Sequence, residues 1–274
     1  MKRMRYAYAL TLAFSAPVSR HTFLFRFDPP SDARQQVWGR RLRSTPGCAL
    51  PLTRDAFGNA CALGHIEGAQ TELTLEAGGE ALLTGRPLCA PCPEIYARAT
   101  ALTAADEAIR ALCGGLSGAP VELALALSAR IHERVTYRKG VTNEQTTASQ
   151  ALALGAGVCQ DMAHLLLAGL RERGVCARYV CGLIPGEGET HAWAEVYDGA
   201  RFVGVDPTHL CLTDDTYFAV NAGRDSRDCA INRGVFAGGA QQTMRVAASM
   251  EELYPNSSFP QREAKKGSGD WSPG

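Results

Sequence analysis

Gly155-Ala156-Gly157-Val158-Cys159-Gln160-Asp161-Met162-Ala163-His164-Leu165-Leu166-Leu167 joins a chain break to an apolar run. Two glycines interrupt the backbone just before a cysteine. After it, Val158, Met162, Ala163, Leu165 and Leu166 can share one face of a helix. Cys159 is therefore expected in the first turn of a buried helix. Backbone N–H groups there lack intrahelical acceptors, and the dipole end is positive. Both favour a thiolate, and the same N–H groups can hold an oxyanion. An isolated free cysteine is more often a small buried side chain, so the reading depends on the chain around it.

Downstream the pattern switches to period two. Ala177 to Leu183, His191 to Tyr197 and Arg201 to Val205 read as strands. Pro185-Gly186-Glu187-Gly188 reads as the first turn and Asp198-Gly199 as a tight hairpin turn. His191 lies before that turn and Asp206 a similar distance after it, so antiparallel pairing brings them together at one end of a sheet. If the Cys159 helix packs there, a thiol, an imidazole and a carboxylate converge. Those are the groups needed for a nucleophile, a proton carrier and a group that orients it. Tyr217 to Asn221 and Met244 to Ala248 are expected to add two strands.

Upstream, Thr103 to Leu112 reads as a helix with Thr103 as its N-cap, and Pro120 to Arg134 as a second helix with Pro at its start. Tyr137 to Asn143 is a loop. Thr146 and Thr147 cap a third helix, which ends at Gly155. The Cys159 helix is expected to stop at Gly174.

Residues 4 to about 85 are read as β structure. Tyr6, Tyr8, Leu10, Leu12 and Phe14 alternate with small residues, Pro17-Val18 is read as a turn, and His21 to Phe27 follows as a strand. Frequent Gly, Pro and Asn punctuation suggests a β-sandwich. The fold class is α+β, with four segments. Residues 1–85 form the sandwich, 86–102 a Pro-rich linker, 103–250 a catalytic core of helix packed on antiparallel sheet, and 251–274 a disordered tail.

The chain has 274 residues, 28 basic and 28 acidic, so no net charge points to nucleic acid. No apolar run is long enough for a membrane span. The basic, then apolar, first residues have the composition of a short signal peptide, but their strand periodicity favours a structural role and a cytoplasmic protein. The ten cysteines are too scattered for a disulfide framework and are expected to be mostly reduced and buried. Cys89-Ala90-Pro91-Cys92 is the exception: a linker with two thiols, with a redox pair or half a zinc site as the alternatives. No dense carboxylate loop suggests calcium, and no metal or cofactor is expected.

Several motifs resemble the transglutaminase-like cysteine-protease superfamily, most nearly its bacterial branch. They are Gly157 to His164, Ala177-Arg178-Tyr179-Val180, His191-Ala192-Trp193-Ala194-Glu195 and Asp206-Pro207-Thr208. Arg5 to Val18 and Asp55-Ala56-Phe57-Gly58-Asn59 are similar to the N-terminal β region of that branch, and Ala222-Gly223-Arg224-Asp225 to its C-terminal segment. Cys176 stands where the family commonly has proline, and Ala230-Ile231-Asn232 lacks the usual prolines. The resemblance implies a papain-like arrangement, with Cys159 as nucleophile, His191 as general base and acid, and Asp206 as orienting carboxylate. It also implies the Cys159 N–H as one oxyanion donor.

Tyr137 and Gln160 are candidates for the second donor. His164 lies five residues after Cys159 and is expected on another side of the helix, in the core or behind the site. Trp193 is expected in the sheet, His209 beside the cleft, and Asp161 and Arg178 in structural polar contacts. The expected activity is acyl transfer through a Cys159 thioester on a peptide or protein substrate, with water as the default acceptor. Alternatives are a transglutaminase with a lysine amine as acceptor, a non-catalytic peptide-binding module, and a redox or zinc protein built on Cys89 and Cys92.

Overall fold

The first strand is long and bent. In the computed structural model, which describes residues 1–253, β1 runs Lys2–Asp28 without the turn expected at Pro17-Val18. Burial changes parity along it. Met4, Tyr6, Tyr8, Leu10, Leu12 and Phe14 face inward, then His21, Phe23, Phe25 and Phe27 do. An odd number of extra residues is accommodated between them, one against β14 and three against β5, and Arg20 there takes φ of 47°. The bend folds the strand back on itself, so that the Tyr8 and Phe27 rings stack at 4.2 Å.

The remaining strands are β2 (Gln35–Thr45), β3 (Leu52–Arg54), β4 (Ala60–Ile66), β5 (Gln70–Leu83), β6 (Thr136–Tyr137), β7 (Ala156–Gly157), β8 (Ala177–Leu183), β9 (Gly186–Gly188), β10 (His191–Tyr197), β11 (Phe202–Asp206), β12 (Cys211–Leu212), β13 (Phe218–Gly223), β14 (Asn232–Ala237) and β15 (Gln242–Glu252). The early half of β1 lies between β5 and β15, the late half between β4 and β14. A single eight-stranded antiparallel sheet thus curls into two facing layers, which is the expected sandwich.

Three expectations change here. Met244 to Ala248 belongs to β15 in this first sheet, not to the core sheet. Pro185 to Gly188 is not a plain turn, because Gly186–Gly188 pairs with β15 as an edge strand. Glu251 and Glu252, placed in the tail from sequence, finish β15; residues 254–274 of that tail lie outside the described residues.

The second sheet has the order β12-β11-β10-β8-β13, all antiparallel. One face carries four helices: α1 (Glu107–Cys113), α2 (Pro120–Arg134), α3 (Ala148–Leu154) and α4 (Cys159–Glu172). Leu123, Leu127 and Ile131 of α2 and Leu165, Leu166 and Leu170 of α4 share a core with Tyr179, Ala192, Ala194 and Val196. The N-cap of α1 is Asp106, which accepts from the Ile109 N–H, and not Thr103. Thr103 is buried and accepts instead from Arg171 Nη1 at 2.7 Å.

The sandwich covers the exposed edge of β13 with side-chain amides. Gln35 donates to the Ala219 carbonyl at 2.7 Å and accepts from its N–H at 2.9 Å. Asn59 does the same for Ala222, at 2.9 and 2.8 Å. These amides satisfy backbone groups that an unpaired edge would leave free. Asp55 holds the Asn59 turn through the N–H groups of Phe57 and Asn59, which explains the Asp55 to Asn59 motif.

Residues 86–102 are more structured than a plain linker. Leu88 exchanges two backbone hydrogen bonds with Phe202, and Tyr96 is buried. Cys92 forms a disulfide with Cys176 across 84 residues, so it is not half of a pair of linker thiols. The residue that departs from the family's proline is its partner. Cys89 and seven other cysteines are free. Among the described residues no helix is long and apolar enough to cross a membrane.

Candidate active site

Local constraints set where α4 begins. Gly155 ends α3 with a left-handed φ of 63°. β6 and β7 then form a short parallel pair, which places Tyr137 against Gly157. Gly157 has no room for a side chain, since a Cβ there would lie 2.7 Å from the Asp161 Cβ. Asp161, in the first turn, accepts from the Val158 N–H and the Thr142 hydroxyl, both at 2.7 Å. Burial pushes its carboxyl pKa up, while these hydrogen bonds oppose the rise. The carboxylate takes up the Val158 N–H, and the N–H groups of Cys159 and Gln160 remain in the turn that has no intrahelical acceptor.

His191 begins β10 and Asp206 ends β11. The His191 Nε2 lies 2.7 Å from the Asp206 Oδ2. Nδ1 is left free of Asp206, and Cys159 is the ring's other charged or polar neighbour that acts on its pKa. Burial alone pulls the His191 pKa down, but hydrogen bonds and charge from Asp206 and Cys159 outweigh it, and the value rises to about 9. Burial likewise resists ionisation of Asp206, which is fully enclosed. Hydrogen bonds from His191, His209 and Tyr217 prevail and hold it well below the usual carboxylate range.

One oxygen of Asp206 carries most of this load. Oδ2 meets the His191 Nε2, the His209 Nδ1 at 2.7 Å and the Tyr217 hydroxyl at 2.8 Å. Oδ1 accepts from the N–H groups of Thr208 and His209 at 2.8 and 3.2 Å. Tyr217 was not among the sequence candidates. It reaches the site from the segment before β13, with no motif to mark it. Ligand atoms of His191, Asp206 and His209 lie within 4.8 Å of one another, a set that could hold a cation. A cation there would have to displace the hydrogen bonds just described.

A cleft of about 520 Å³ opens over this group. Cys159, Gln160, Tyr137, His191 and His209 all line it. Residues 184–190 form one wall, together with Ala248 and Ser249 of β15. Lys139 and Glu189 meet at 3.6 Å.

Two candidates lie elsewhere. His164, within α4, is fully buried beside the Tyr179 ring, where its Nε2 accepts from the Ser226 N–H at 3.1 Å. Burial lowers its pKa to about 4. Trp193 is buried in the sheet, stacked 6.2 Å from the His191 ring and edge-on to Tyr217 at 5.3 Å. It backs the histidine without lining the cleft. Arg178 pairs with Glu195 and Arg224 with Asp228, so both are structural.

Comparison with known proteins agrees with this architecture. Residues 110–207 match the transglutaminase-like superfamily, and residues 4–81 match the bacterial transglutaminase-like N-terminal region. An uncharacterized protein of Mycobacterium tuberculosis is 31% identical, over 76% of this chain and 79% of its own. Another from Mycobacterium leprae is 25% identical, over 92% of this chain and all of its own. The crystal structure of a "putative cysteine protease" from Cytophaga hutchinsonii superposes with a TM-score of 0.75 at 21% identity, covering 94% of this chain and 92% of the other. At that identity the likeness speaks for the fold. The chain belongs to the transglutaminase-like superfamily and carries the bacterial N-terminal region ahead of the core.

Proposed function

We propose that the protein is a cysteine-dependent acyl-transfer enzyme that hydrolyses a peptide or amide bond. The observation that carries this reading is His191 itself: Asp206 holds one ring nitrogen at 2.7 Å, and the ring lines the same cleft as Cys159. With a pKa of about 9, the ring is an imidazolium at neutral pH and carries the proton that a departing amine needs. Membership of the superfamily supports cysteine chemistry in general.

The Cys159 Sγ attacks the substrate carbonyl carbon, and the charge that develops on oxygen meets the Cys159 N–H at the helix start. Gln160 and Tyr137, which share the cleft, are the second-donor candidates. Collapse breaks the C–N bond, and His191 gives its proton to the departing amine. A water then loses a proton to His191 and attacks the thioester. The S–C bond breaks, the acid leaves and the thiol is restored. Asp206 keeps the ring oriented throughout.

Incubation with a casein digest, followed by mass spectrometry of products, tests the reaction. New termini that disappear in Cys159→Ala support hydrolysis. Isopeptide-linked products with added lysine amines would assign transamidation instead. Binding without any product would leave a peptide-binding module. The Cys92–Cys176 disulfide favours an oxidising compartment, against the cytoplasmic location expected from the sequence. Alkylation of cell lysate before and after reduction decides between them.

A further inference from the structure

The short strand β9 forms one end of the eight-stranded sheet. Its inner side pairs with β15, with Glu187 opposite Ser249 and Gly188 opposite Ala248. Among the described residues nothing pairs with its outer side. Gly186, Glu187 and Gly188 nevertheless line the cleft that holds Cys159 and His191. Space around both glycines is open, with no atom within 4 Å of where a Cβ would stand. An unpaired edge beside a nucleophile offers backbone N–H and C=O groups to a second extended chain.

Charge narrows what that chain carries. Besides His191 and His209, the acidic and basic residues of the cleft wall are Lys139, Glu187 and Glu189. Lys139 is matched with Glu189 at 3.6 Å. Glu187 is exposed and has no ionic partner among the described residues, so the wall keeps one free carboxylate.

We propose that β9 is the substrate rail: the acyl-donor peptide adds to it as a further antiparallel or parallel strand, with a basic side chain beside Glu187 and its reacting carbonyl at Cys159. The inference rests on the acyl-transfer reading and supplies its substrate class. It also assigns a purpose to the contact between sandwich and core. β15 comes from the sandwich sheet and fixes β9, so the first sheet extends into the site.

The test uses peptidyl acyloxymethyl ketones on an acetyl-capped trialanine scaffold, where the thiolate displaces the carboxylate and forms a thioether. The probes are the parent, versions N-methylated at each amide, and versions with lysine or glutamate at each position. Iodoacetamide serves as the reference thiol reagent, and labelling of Cys159 in the full-length protein is followed by intact mass. At least one N-methyl group is expected to slow labelling roughly tenfold, the effect of one lost hydrogen bond. Lysine is expected to outrun glutamate at one position, and Glu187→Gln to bring that ratio close to one. A flat N-methyl series, with Cys159 still labelled by iodoacetamide, overturns backbone pairing and leaves the thiol chemistry standing. A lysine-to-glutamate ratio unchanged in Glu187→Gln overturns the role of that carboxylate. If no reagent labels Cys159, the acyl-transfer reading falls and takes the rail with it.

Discussion

Asp206 concentrates three donors on one carboxylate oxygen, and that fixes where the His191 ring points. Tyr217→Phe removes one donor without emptying the space. Turnover should drop about tenfold with little change in KM, because a hydrogen bond to a charged acceptor contributes about 1.5–3 kcal/mol. Equal losses in both constants would place Tyr217 in substrate binding instead. The histidines also set opposite pH dependences for stability. The folded pKa of His191 is raised to about 9, so its pairing stabilises fully below 6.5 and fades as pH climbs through 9. The folded pKa of His164 is depressed to about 4, so its contribution is intact above 6.5 and is lost as pH falls toward 4. Urea midpoints measured against pH should fall on both sides, with Asp206→Asn flattening the alkaline limb. The placing of Cys159 at a helix start and of His191 beside Asp206 was legible in the sequence, because each residue sits at a marked element boundary. Tyr217 was not, since it reaches Asp206 only through the path of the chain before β13.

Helix α4 depends on its first turn. Asp161→Ala frees the Val158 N–H and the Thr142 hydroxyl, and should cost about 1–2 kcal/mol by urea denaturation. Gly157→Ala should cost more and also slow turnover, because the new Cβ pushes on Asp161, two residues after Cys159. Unchanged activity in Gly157→Ala would show that the helix start tolerates the shift. At its other end α4 contributes Arg171, which donates to Tyr96, Ala177 and Arg224 carbonyls and to Thr103. The helices were readable from apolar spacing and caps, and α2 and α3 begin where the sequence indicates. The Thr103 cap was misassigned because Asp106, three residues on, offers an equally good acceptor. Pro17-Val18 and Pro185 to Gly188 were misread for one reason: proline and glycine also occur at bulges and edge strands.

The two sheets are joined by a buried ionic group. Glu195 of β10 accepts from Arg178 at 2.8 and 2.5 Å and from Arg34, which comes from the sandwich side. Glu195→Gln leaves two buried guanidinium groups short of charge and should destabilise by about 3–5 kcal/mol, seen as a large drop in Tm. A small change would mean that water or Asp32 replaces the carboxylate. The Cys92–Cys176 bond fastens residues 86–102 to the start of β8. These long-range pairings were not legible, because local periodicity carries no information about which distant strand a strand joins. That is why Met244 to Ala248 was assigned to the core sheet and Asn232–Ala237 was not read as a strand, although β14 and β15 close the first sheet.

All of this turns on whether the sulfur of residue 159 takes up an acyl group with help from residue 191. The direct measurement is intact mass spectrometry of the enzyme quenched in acid during turnover of a peptide mixture. The account predicts an acyl adduct on Cys159 that is released by hydroxylamine, absent in Cys159→Ala and strongly reduced in His191→Ala. Peptide turnover that persists in Cys159→Ala, or an adduct formed equally well without His191, would contradict it.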